Sequence, residues 1–474
     1  MSDPTYAPPT VPSAAPDEPR APDPVAAALG NASLLGVGYL LLRRRRLALA
    51  AVAGSAVLVF RLVTTASPSY EVAVLVWWAA VVVHGWFLAR GGGGRGRAHR
   101  QRLVALGITL PVLLVVGLLR FDAFRIGRSV TEARESGDCA RVSTAQDRVW
   151  FGHRVADAPL TARGDEAVAA CDRLRTARAE LSTALTGDTE ALADGFGTLA
   201  SVLAEDGNEK TVEATLNGFL GRLPAKNPCD TADVTDWLDD RGRSHDVLDR
   251  AADTAELTAP AALVGCGDDF LADGSWEEAR TYYERLLARY PGSGLADRAR
   301  KGARKATLSI ELANVSNLLS AGTGTQAEYC AAPAKYSGAK PMGKGTNPAL
   351  FYASDENGTA SGYPKLFPGS WKADDAADAV LVVCMGEDTF GDSVETCPYR
   401  SESSGAVGNV SFHKIEIPVK VYELRTGRLV ADRKIQISGT SCPPTIFTAE
   451  STDSMYVDPS RSDVRSAFRP LVVR

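Results

Sequence analysis

Polar side chains nearly vanish from four stretches in the first quarter of this chain, residues 25–42, 47–66, 72–89 and 103–119. Each is close to the ~20 residues an α-helix needs to cross a hydrocarbon layer of about 30 Å. The last three predict membrane-spanning helices. The first is diluted by Gly, Ala, Ser and Asn, which leaves open whether it spans or lies at the interface. Inside the four runs only Arg61 and His84 can carry charge. Both sit near the ends of their segments, within snorkelling reach of the interface, and no acidic side chain accompanies them, so no proton or ion path is expected. Pro111 is expected to kink the last run. Residues 1–24, rich in Pro and without a basic start or cleavage site, read as a disordered tail.

The pattern changes twice further on. Over residues 126–320 apolar positions recur at helical spacing. Residues 321–350, dense in Gly, Pro and small side chains, predict a linker. Over residues 351–474 the period shortens to two: Ile415, Ile417, Val419 and Val421 alternate with Lys414, Glu416, Lys420 and Tyr422, and residues 379–385 read as a buried strand. Thr426 and Gly427 predict a hairpin turn, Pro418 places its strand at an edge or bulge, and a helix is expected near residues 462–469. The fold class that follows is multi-domain, with N-terminal transmembrane helices, an α-helical repeat, and a small C-terminal antiparallel β module of α+β type.

Basic residues orient the membrane part, because Lys and Arg beside a span favour the cytoplasmic side. The block at residues 43–46 and the block at residues 90–102 flank the second and third runs on one side, and the loop between these runs carries neither Lys nor Arg. Both blocks are expected inside. Residues from about 120 onward are then extracytoplasmic whether or not the first run spans, although the side taken by the N-terminus depends on it. Arg120, Arg125 and Arg128 oppose this assignment and are outnumbered.

The cysteines test the topology. All eight, Cys139, Cys171, Cys229, Cys266, Cys330, Cys384, Cys397 and Cys442, follow the last run. An even set confined to a region assigned to an oxidising compartment reads as disulfides. Proximity along the chain suggests Cys139 with Cys171 and Cys229 with Cys266, and the other four then belong to the C-terminal module. No CxxC or HxxxH spacing occurs and His413 is the only histidine in that module, so no metal is expected.

Within the helical region, residues 270–293 show a helix ended by Gly274, a second helix from Trp276 to Tyr290, and a stop at Pro291. Gly267, Phe270, Gly274, Trp276, Ala279, Tyr283, Leu286 and Pro291 have the order and spacing of the tetratricopeptide repeat, a 34-residue helix-turn-helix unit that this stretch resembles closely. Upstream, Leu203, Gly207, Val212, Leu216, Phe219 and Pro224 repeat the offsets. Gly242, Val247, Ala251 and Pro260 give a weaker copy, and Gly137 a degenerate one. Residues 305–320, amphipathic through Leu308, Leu312, Val315 and Leu319, are expected to cap the array. The resemblance implies stacked hairpins with a surface for a protein or peptide partner.

A formal net charge of −5 with 23% charged residues gives no basic surface for nucleic acid. Residues 338–345 come near a phosphate-binding loop, but Gly345 stands where Ser or Thr would hold magnesium and Pro341 interrupts the stretch. No nucleophile motif or histidine pairing supports catalysis. The Ala- and Arg-rich, Lys-poor composition, together with the stretch at residues 363–371 ahead of residues 381–384, also resembles multi-span envelope proteins of actinobacteria, a likeness that implies no activity. The expectation is a non-enzymatic, cofactor-free, membrane-anchored adaptor for protein–protein interaction at the cell envelope. The alternative is a sensor recognising cell-wall or glycan fragments through the C-terminal module.

Overall fold

The computed structural model describes residues 23–90, 98–320, 326–354, 359–402, 404–448 and 452–474. The tail up to residue 22, most of the second basic block and the start of the expected linker lie outside the described residues. The chain divides into two compact units, Met1–Lys226 with Asp233–Thr258, and Asn227–Ala232 with Ala259–Arg474.

Among the described residues of the first unit, three helices are long and apolar enough to cross a membrane: Arg45–Thr65, Pro68–Ala89 and the helix running Ala98–Glu135. The first apolar run does not form one continuous helix. It breaks into Pro24–Ala32 and Val37–Leu41, with Leu34 and Gly36 at positive φ between them. The break centres on Asn31, which is fully buried. Its amide donates to the Val81 carbonyl at 3.2 Å and its oxygen accepts from the Tyr39 N–H at 3.2 Å. A buried amide satisfied on both sides ties the turn to the Pro68–Ala89 helix, where irregular backbone is tolerated because protein surrounds it. His84 also has a partner here, its Nδ1 lying 2.8 Å from the Tyr39 hydroxyl.

No boundary falls at residue 126. The Ala98–Glu135 helix continues unbroken through Pro111 and past the apolar run, and at 1.5 Å per residue it is about 57 Å long, nearly twice the hydrocarbon thickness. Its far end packs through Val130 and Ala133 on Val142, Ala145, Ala167 and Cys171. Cys139 and Cys171 are disulfide-bonded. A larger core follows, in which the helices Ala158–Ala184, Thr189–Leu203 and Glu209–Leu220 bury Leu174, Leu181, Leu192, Leu199, Leu216 and Phe219. Gly137 and Gly207 both take left-handed φ, +71° and +79°, at turns between helices. Gly242 does not share that device. After it the chain is irregular until a short 3-10 turn, and Pro260 lies inside the Arg250–Ala272 helix instead of stopping one.

In the second unit the sheet is mixed, where a purely antiparallel one was expected. Six strands take part: β1 (Ala349–Ala353), β2 (Leu381–Met385), β3 (Thr389–Arg400), β4 (Val407–Glu423), β5 (Arg428–Ile437) and β6 (Ser454–Tyr456). β4 is the spine. β2 and β3 pair antiparallel with successive stretches along one side of it, β5 pairs antiparallel and β6 parallel on the other, and β1 runs parallel to β2. The expected hairpin forms between β4 and β5, with Gly427 at φ +68°.

Pro418 therefore sits in the central strand, not at an edge. Its carbonyl accepts from the Gly386 N–H at 2.8 Å, and in an antiparallel ladder a residue's nitrogen faces the same side as its carbonyl. That side is the seam where β2, paired as far as Val419, gives way to β3, paired from Glu416. The donor that proline lacks is not called for there.

Each sheet face is covered. Ile415, Ile417, Val419 and Val421 pack on Val464, Phe468 and Leu471 of the Arg461–Val472 helix. On the other face, Val382, Cys384 and Tyr422 meet Tyr329, Val315 and Leu319. The expected linker thus contributes core residues from Ala327 on: Tyr329 is fully buried, Cys330 bonds Cys384, and the Tyr336 N–H pairs with the Leu424 carbonyl at 2.8 Å. The expected cap is the second half of one continuous helix, Ala296–Leu319, which the sheet and not a repeat covers.

Glu311 on that helix accepts from the Ser337 amide (2.7 Å) and hydroxyl (3.0 Å) and pairs with Lys335 at 3.3 Å. Burial pushes its carboxyl up, but these bonds outweigh burial and hold it below the ordinary carboxylate range. A depressed folded-state value contributes stability that is present above the unfolded value, about 4.3, and is lost as pH falls through the folded one. The urea midpoint of the wild-type chain should therefore fall more steeply between pH 6 and pH 3 than that of Glu311→Gln.

Candidate functional site

Of the eight positions singled out in the sequence, Ala279, Tyr283 and Leu286 share one buried cluster with Phe270 and Trp276 packed against it, and Gly267 approaches the Tyr283 ring. Tyr283 is fully buried on the Trp276–Arg289 helix with Ala279 and Leu286. A Cβ placed on Gly267 would meet the Tyr283 ring at 2.8 Å, and one on Gly302 would meet it at 2.4 Å. Two glycines on two helices thus approach the aromatic ring closely, and a larger side chain at either would force the ring or the helix to shift. Gly274 turns the chain at φ +81°, a conformation that is costly for any residue with a Cβ. Trp276 is half-buried at the start of its helix, and Pro291 follows the helix end.

Three residues outside the signature complete the arrangement. The Tyr283 hydroxyl donates to Asp268 Oδ1 at 2.5 Å, and Asp268 pairs in turn with Arg298. Burial, reinforced by the Asp268 carboxylate, pushes the phenol well above its usual value, so it stays a neutral donor. Pattern reading found Tyr283 by its spacing. It had no means of finding Gly302, Asp268 or Arg298, which lie outside the eight signature positions.

At the end of this hairpin lies an open cavity of about 420 Å³ lined by Asn227, Cys229, Asp269, Phe270, Ala272 and Asp273. The Cys229–Cys266 disulfide holds its wall. Asn227 is committed to the helix that follows, its side-chain oxygen accepting from the Cys229 N–H at 2.8 Å. Phe270 stacks on Tyr282 at 5.5 Å and 18°, and the Arg285 guanidinium covers the far part of that strip, 5.1 Å from the Tyr282 ring. The cavity therefore offers an aromatic edge flanked by the exposed carboxylates Asp269 and Asp273. Such a surface can accept a cationic side chain but supplies no nucleophile or positioned base.

The remaining expected features lie apart from this site. Cys397 pairs with Cys442. Glu395 lies near these two sulfurs, but both are used by the disulfide and Glu395 accepts from the Ser441 hydroxyl at 2.7 Å. His413 turns its Nδ1 to the Gly391 carbonyl at 3.0 Å. The stretch resembling a phosphate loop wraps instead around Asn347, which bonds the Gly343, Gly345 and Val472 carbonyls. No protein-family model, curated protein or solved structure matches this chain.

Proposed function

We propose that this chain is a membrane-anchored, non-enzymatic adaptor whose Tyr283 hairpin, a unit of the tetratricopeptide type, holds a protein or peptide partner at the outer side of the cell membrane. The observation that carries the reading is the aromatic and acidic cavity at the hairpin end, Phe270 between Asp269 and Asp273, which favours a segment presenting Lys or Arg. The four disulfides support placement in an oxidising compartment. Arg43 to Arg46, at the start of the first long apolar helix, support the same orientation.

A photo-crosslinker at Ala272 of the intact chain, used in native membranes, tests this. The expected result is one dominant adduct. Its yield should fall about tenfold when Asp269→Asn and Asp273→Asn are combined, the scale of about 1.4 kcal/mol for two lost rim charges. An adduct pattern indifferent to the two carboxylates would sink the proposal.

The sensor reading rests on a second cavity, about 310 Å³, lined by Met342, Val421, Val430, Ala431, Asp432, Arg433, Pro470, Leu471 and Arg474. Its lining offers charged groups over an apolar floor. No aromatic ring lines it among the described residues, which weighs against a sugar face as the ligand.

A further inference from the structure

We propose that Trp150 and Phe151 form an interfacial anchor, seated at the boundary between headgroups and acyl chains of the lipid leaflet on the side where the helical layer stands. The inference rests on the three apolar helices crossing a bilayer, but not on the orientation or on the adaptor reading.

The path of the chain carries it. The Ala98–Glu135 helix leaves its apolar run at Leu119 and continues outward, and the Cys139–Gln146 helix then folds back along it. The short helix Phe151–Ala156 follows, and its contacts fix its height. His153 Nε2 lies 3.1 Å from Asp122, and Asp157, just after the helix, lies 3.6 Å from Arg120. Leu160 packs against Gly127 one turn higher. The polypeptide has thus returned to the level of residues 120–122, where the span meets water.

His153 is buried, and its Nδ1 accepts from the Trp150 N–H at 3.3 Å, which leaves Nε2–H to face Asp122. The Trp150 ring stands edge-on to this imidazole at 5.6 Å. These contacts fix the backbone, and although the Trp150 ring lies against Gly152, both rings remain largely exposed, Trp150 57% and Phe151 66%. Phe121 and Phe124, at the same level on the long helix, are 62% and 57% exposed. The four exposed rings thus share the level at which the long helix leaves its apolar run, which points to lipid as their occupant. Aromatic side chains with an apolar body concentrate at this depth, and Trp can keep its N–H toward the headgroups.

The test uses the full chain in lipid nanodiscs, spin-labelled at one added cysteine, Trp150→Cys, Leu114→Cys or Leu257→Cys, with the four native disulfides verified by mass spectrometry. Leu114 lies in the span and Leu257, 84% exposed, reports water. The expected result is access to a water-soluble nickel chelate several-fold lower at position 150 than at 257, with oxygen access between the values at 257 and 114. Chelate access at 150 equal to that at 257, with 114 still protected, overturns the anchor and leaves the pair as a surface for another protein. Chelate access at 114 overturns the span and the anchor together. In the chain without added cysteine, lipids brominated near the headgroup should quench tryptophan emission less in Trp150→Phe than in wild type, and equal quenching overturns the proposal independently of any label.

Discussion

Tyr283→Ala should cost about 3–5 kcal/mol of stability, the range for emptying a buried aromatic site. The ring fills the space between Gly267 and Gly302, and because those residues have no side chains, nothing nearby can move in to replace it. Urea unfolding of the detergent-solubilised chain measures the loss. Tyr283→Phe separates packing from hydrogen bonding, since it removes only the hydroxyl and leaves Asp268 paired with Arg298; about 0.5–1.5 kcal/mol is expected for that change. A loss in the phenylalanine variant as large as in the alanine variant would show that the bond to Asp268, not the plate between the glycines, holds the hairpin.

Replacing Cys330 and Cys384 together by alanine should cost about 4 kcal/mol in the chain-entropy account, because the bond closes a loop of sequence separation 54. It joins the segment carrying Tyr329 to β2, so its loss frees the covering of one sheet face. The expected signature is rapid proteolysis between residues 326 and 348 while β4 and its partners stay protected. Proteolysis at the wild-type rate in the double variant would show that Tyr329 and the Tyr336 ladder bond suffice without the disulfide.

Local pattern read some of this architecture well. The three long apolar helices, the Gly274 and Gly207 turns, the β4–β5 hairpin and the pairs Cys139–Cys171 and Cys229–Cys266 all depend on residues close along the chain. What escaped depends on distant neighbours. Nothing in the composition of residues 326–350 shows that Tyr329 will meet Val382 and Tyr422. β4 is central because strands from before and after it in sequence converge on it, and its own alternation is that of any half-buried strand. Pro418 is tolerated by a seam that two other strands create. Asn31 reads as dilution of an apolar run, whereas its buried amide is what folds that run back. The candidate cavity was not legible either: Asp269 lies near the end of the Arg250–Ala272 helix and Asp273 in the turn after it, but Asn227 and Cys229 come from a distant stretch that the disulfide to Cys266 ties to that helix.

The unbroken Ala98–Glu135 helix has a mechanical consequence. A hinge between membrane and helical layer would let the layer swing and would decouple it from the lipid. Here sixteen residues, about 24 Å at helical rise, project past Leu119 without a break. The far end is clamped: Arg134 donates to the Asp206 carbonyl and to Asn208 Oδ1, both at the Gly207 turn. Rotation or tilt of the membrane segment is therefore delivered to the layer as rotation or tilt, like a handle fixed to its blade. In the membrane-anchored reading proposed above, any tilt by which the span accommodates bilayer thickness would then be passed on to this layer.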